Sequence, residues 1–241
     1  QAKILVDYSL KVRPEENVVI LSEFVAKPLA LEIYKLLIQR GASEIKVHFS
    51  DYEFAEAYFK YASAEQIRHF PQIEMDETKK IDCYIRIGSP TNTRGLSGVD
   101  IKKVTERARV TRSILNWRVD KTRWVITNFP TDAQAQEADM SLSDYEDFVF
   151  SGINGVDWEK KFKEQEKLRK RVDATREVRI VGEGTDLRLG IAGRKAENAG
   201  GKYNMPDGEV FTSVVENKAN GFITFSYPAL YLGREYNDVR M

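Results

Sequence analysis

Four short apolar runs, at 18 to 21, 45 to 49, 83 to 87 and 124 to 127, alternate with stretches in which apolar residues recur every three or four positions. A chain built this way buries its apolar surface when the strands lie side by side and the helices cover both faces of the sheet. Four short apolar strands separated by helices fit a largely parallel sheet covered on both faces. Residues 1–175 therefore read as an α/β domain with a mostly parallel sheet flanked by helices.

Local signals fill in the connections. Ile4, Leu5, Tyr8 and Val12 recur at helical spacing, and Pro14 stops that helix before the first strand. Pro28 opens a second helix whose Leu29, Ile33, Leu36 and Leu37 share one face, and Gly41 is placed to close it with a left-handed cap. Aromatic-rich helical sequence is expected over 52–70, and a further helix over 101–115. Ser141 with Asp144 three residues on marks another helix start. The charge-dense run from Lys160 to Val172 reads as a solvated connecting helix. Near Thr175 the helical period ends, and Val178 to Val181 and Leu187 to Ile191 read as short strands separated by glycine turns. A boundary is expected there, with 176–241 forming the beginning of a β-rich domain whose strand edges need partners.

Composition narrows the function classes. The 37 basic and 37 acidic side chains cancel, so no global field draws this chain to nucleic acid or anionic lipid. No run approaches the roughly 18 apolar residues needed to span a bilayer, and no charged-then-apolar leader precedes Ala2. The single cysteine, Cys83, permits no internal disulfide and suits a reducing compartment. These features predict a cytoplasmic chain with neither a nucleic-acid nor a membrane partner.

Candidate chemistry is sparse. Glu209 sits in Asn204-Met205-Pro206-Asp207-Gly208-Glu209-Val210-Phe211-Thr212, between a glycine turn and a short strand-like segment. A carboxylate on stiff backbone there is a candidate metal ligand, although one carboxylate cannot hold two cations. His48 and His69 show no ligand spacing with each other and read as surface or boundary residues. Gly182-Glu183-Gly184 lacks the third glycine and the helix of a phosphate loop, and reads as a hairpin turn. Gly88 to Gly95 follows a strand where open α/β sheets hold their crevice, and its Arg94 could meet an anion; a surface loop is the plainer reading. That loop motivates the alternative function, a non-enzymatic small-ligand-binding or dimerisation module.

The Glu209 run, with Gly184 to Leu187 before it and Gly221 to Phe225 after it, resembles the entry to the catalytic domain of the aminopeptidase T and aminopeptidase S family of dinuclear metallo-aminopeptidases. Leu5 to Val12 and the 123–150 region are also similar to that family. Ser213-Val214 departs from its small residue followed by proline, and Ala196 from a common aromatic. The resemblance implies an enzyme that releases N-terminal amino acids from peptides and works as a homodimer. It implies two divalent metals (zinc, cobalt or magnesium) that lower the pKa of a bridging water and polarise the scissile carbonyl. Glu209 would be a metal ligand; the family's other glutamate, two histidines and aspartate lie C-terminal to the motif, and no position here corresponds to them. The resemblance thus predicts a truncated, inactive portion of such an enzyme, with the general base unassigned.

Overall fold

The computed structural model describes residues 1–231 and 234–241; Leu232 and Gly233, inside the expected β-rich part, lie outside the described residues. The first helical segment, Ile4–Leu10, is wound more widely than an α-helix and ends at Lys11, whose φ is 50°. Then follow β1 (Asn17–Glu23), α1 (Lys27–Gln39), β2 (Glu44–Ser50), α2 (Tyr52–Tyr61), α3 (Ala64–Arg68), α4 (Gln72–Thr78) and β3 (Cys83–Gly88). After these come α5 (Ile101–Val110), α6 (Arg112–Lys121), β4 (Arg123–Asn128), α7 (Asp132–Glu137), α8 (Leu142–Asn154) and α9 (Trp158–Asp173). The remaining elements are strands: β5 (Glu177–Gly182), β6 (Thr185–Gly190), β7 (Glu197–Ala199), β8 (Asn204–Met205), β9 (Glu209–Phe211), β10 (Ala219–Phe222), β11 (Ala229–Tyr231) and β12 (Arg234–Tyr236).

The chain forms two compact units, Gln1–Val156 with Lys202–Pro206, and Asp157–Gly201 with Asp207–Met241. The first holds a five-stranded sheet in the order β2-β1-β3-β4-β8, parallel throughout. Its register puts Val18, Ile20, Val47, Ile85 and Val125 on one face and Val19, Leu21, His48, Tyr84 and Trp124 on the other. The first segment and α1 cover the former face, where Leu5, Val6, Ile20, Ile33, Leu37, Ile85 and Val125 are fully buried. On the other face α6 lies against β4 and α4 against α6. The mixed α/β architecture expected from the alternating runs is present.

Two expected helices are each divided. The 52–70 stretch breaks at Ala62, because Ser63 and Gln66 form a reciprocal capping box that starts α3. The 101–115 stretch breaks at Thr111, where the backbone leaves helical geometry with ψ 2°. The Pro28 start, the left-handed Gly41 (φ 78°) and the Ser141 cap on the Asp144 amide (3.1 Å) are as expected.

The second unit pairs β10, β6 and β5 antiparallel, with smaller ladders between β7 and β9 and between β11 and β12. Residues 182 to 184 form the β5–β6 hairpin turn. Among the described residues, no helix is long and apolar enough to cross a membrane.

Candidate metal centre

The run from 204 to 212 supplies a strand to each unit. Asn204 and Met205 pair with Ile126 and Thr127 as the fifth strand of the parallel sheet, and the Thr127 hydroxyl donates to the Met205 carbonyl at 2.6 Å. The Met205–Pro206 peptide is cis. Asp207 then spends its carboxylate on the turn, accepting from the Gly208 amide at 2.8 Å and the Gly201 amide at 3.1 Å. Gly208 has φ 135°, a conformation open to glycine and costly for any other residue. This turn starts β9 at Glu209, in register with Ala199 of β7.

The strand is clamped from below by α9. Gln165, nearly buried in the middle of that helix, donates to the Glu209 carbonyl at 2.8 Å. Asn198 of β7 donates to the Phe162 carbonyl at 2.9 Å, and Asp173 accepts the Ala196 amide at 2.8 Å. That amide hydrogen bond is the largest influence holding the Asp173 carboxyl below its ordinary value. Arg169 pairs with Glu166 and Asp173 on either side, fixing the helix surface. The run taken from sequence as a solvated connector therefore holds the backbone of the candidate ligand. The missed signal is the stripe Trp158, Phe162, Gln165, Arg169, at intervals of four, three and four, inside a run dominated by charge.

Alternation along β9 turns Glu209 and Phe211 outward, and both are exposed. Glu209 makes no side-chain hydrogen bond or ion pair among the described residues. Nor does any group of three or more His, Cys, Asp and Glu there come together in a way that could hold a metal ion. One carboxylate does not fit two divalent cations, each of which needs several donors. The described residues thus do not by themselves form a dinuclear centre.

The sequence profile of the thermophilic metalloprotease (M29) family matches residues 1–241. The chain belongs to this family. It is similar to aminopeptidase AmpS of Bacillus subtilis (strain 168), at 22% identity over 270 residues, covering 96% of this chain and 64% of that protein. Its fold is that of wild-type AmpT from Thermus thermophilus, with a TM-score of 0.81 and 18% identity over 99% of this chain and 66% of that one. This M29 chain thus spans about two thirds of the length of each relative.

The remaining candidates in the M29 chain stand apart from Glu209 in sequence and serve local purposes. His48, on β2, has its Nε2 at 3.0 Å from both Glu77 oxygens, with about half of the side chain exposed. His69 caps the end of α3. Arg94 lines an open cavity of about 470 Å³ with Thr91, Asn92 and Thr93, but its Nε lies 3.5 Å from Glu137, and Asp139 shares the rim. Its charge is answered from within, which removes the electrostatic motive for an anion. The sheet winds outward in both directions between β1 and β3, the switch point where α/β folds bind ligands. There the Glu23 carboxylate accepts the Ser89 amide, taking the donor an anionic ligand would use.

Proposed function

We propose that these 241 residues are the N-terminal part of a metal-dependent aminopeptidase that releases N-terminal amino acids from peptides. In this reading Glu209 is one ligand of a centre of two divalent ions (zinc, cobalt or magnesium), and the other ligands come from residues outside the 241. The expected boundary near Thr175 separates the α/β domain (1–175) from the opening of the catalytic domain (176–241), with α9 packing in the second unit and Lys202–Pro206 lending a strand to the first. The observation that carries the reading is the M29 family match through the Glu209 run, where turn and helix fix the backbone of an outward-facing carboxylate that has no partner among the described residues. Apart from Glu209, the contribution of these residues is positional, since α9 and the Asp207–Gly208 turn hold its backbone in place. A homodimer and a cytoplasmic setting belong to the same reading, the first resting on the family resemblance and the second on the free, buried Cys83.

The test is an assay of the 241-residue chain on leucyl substrates with added zinc or cobalt. No turnover is expected. Robust turnover that Glu209→Ala abolishes would show that these residues already hold a complete centre.

A further inference from the structure

Strand β2 is the outermost strand at one side of the five-stranded sheet, and among the described residues no strand pairs with its outer edge. That edge presents a row of open backbone donors and acceptors over a seven-residue strand, a template for another chain. The usual guards are missing. The strand holds no proline, and its one lysine, Lys46, is engaged by Glu44 at 3.3 Å and Glu77 at 3.6 Å. Beside the edge, between β2 and α1, runs an apolar groove of about 210 Å³ lined by Lys27, Ala30, Leu31, Tyr34, Val47 and Phe49. Leu31, Tyr34 and Ile38 recur at helical spacing along α1, and Leu31 and Ile38 are 47% and 56% exposed. Phe24 stacks on Phe49 at 5.6 Å, and both rings are exposed. A contiguous apolar patch of this kind marks an interaction surface.

Edge and groove together define the occupant. It must be extended, to take up the β2 edge, and it must carry an apolar side chain at every second position, to fill the groove. Strand β2 has that pattern itself, with Ile45, Val47 and Phe49 on the side covered by α1. Paired antiparallel with β2 of a second copy about a twofold axis at Val47, all seven residues find partners. Ile45 then meets Phe49 and Val47 meets Val47 on the apolar side, while Glu44 meets Ser50 and Lys46 meets His48 on the other. Glu77, already beside Lys46 and His48 in each chain, supplies the carboxylate for that polar row. The helices close at the same time. Helix α1 lies over β1 and β2, so joining the two β2 edges at a strand spacing of about 4.8 Å sets the two copies of α1 roughly 10 Å apart, an ordinary helix-packing distance. Glu32 and Lys35, opposite in sign and one turn apart at its flank, face their counterparts with signs matched because the helices run antiparallel.

We propose that β2 and α1 form an interface with a second copy of this chain, in which the two parallel sheets join edge to edge across an antiparallel β2–β2 pair and the α1 stripes pack over the seam. The choice of a second copy rests on the homodimer of the proposed function, which names no surface.

Sedimentation analysis of the 241-residue chain over about 1 to 100 μM, with two variants, tests it. The wild-type chain should be a dimer, and Leu31→Glu, at a half-exposed position that leaves folding intact, should raise its dissociation constant roughly tenfold or more. Val47→Cys sits on the twofold axis and should cross-link to itself under mild oxidation, while Lys46→Cys, opposite His48 of the second copy, should not; the buried Cys83 stays out of the reaction. A wild-type chain that remains monomeric, as an edge kept for a different partner would leave it, overturns the proposal. A dimer that Leu31→Glu leaves intact and Val47→Cys fails to cross-link also overturns it, placing the twofold on another surface while the homodimer reading stands.

Discussion

Ile20, Ile33, Ile85 and Val125 are fully buried where α1 meets the sheet, so each methylene there counts toward stability. Ile85→Ala should cost about 3 kcal/mol, read from the urea midpoint at unchanged slope. Cys83 lies in the same strand, and burial pushes its thiol up to about 12 against the opposing pull of Arg123. It should resist iodoacetamide at pH 8 in the native chain and react readily in urea; equal rates in the two states would contradict its burial. Asp7 accepts from Arg40 Nε and Nη2 at 2.7 and 2.8 Å, and that hydrogen bonding holds its carboxyl below the ordinary 3.8. A carboxyl lowered on folding contributes fully above its unfolded value, and the contribution disappears as pH falls through the folded one. The stability gap between wild type and Arg40→Gln should therefore stay constant from neutral pH to about pH 5 and close in stronger acid. A gap that persists in strong acid would show that the pair acts through packing instead.

At the scale of elements, the α9 clamp on β7 and β9 decides how firmly Glu209 is held. Gly208→Ala forces an L side chain into a φ of 135° and should destabilise this region by ~1–3 kcal/mol, seen as faster amide exchange across β7 and β9 with the five-stranded sheet unchanged. Uniform exchange across both units would contradict a local effect. The central strands β1, β3 and β4 were legible because buried parallel strands carry largely apolar runs, and the edge strand β2, which holds no fully buried residue, was legible from its alternating Ile45, Val47 and Phe49. The capping box at Ser63 and Gln66 was also written in the sequence, but the aromatic run around it has the stronger period. Three features were not legible from local pattern. Strand β8 has only two residues, too few for a period. The break at Thr111 carries no proline, glycine or capping pattern. The role of α9 was hidden because its buried stripe includes a glutamine, which polarity alone assigns to solvent.

At the scale of the whole molecule, the M29 family match and the α/β fold frame the proposed metal centre. The motif named Glu209 from sequence, and the structure adds the reason its backbone is fixed there. What sequence could not reveal is how the remaining ligands are arranged, because coordination joins residues through space and the described residues contain no such cluster. The measurement that bears most directly on the account is metal content together with leucine release in the complete protein carrying these residues, compared between wild type and Glu209→Gln. Loss of bound metal and of turnover in a variant that stays folded is the predicted result; full metal occupancy with undiminished turnover would contradict it.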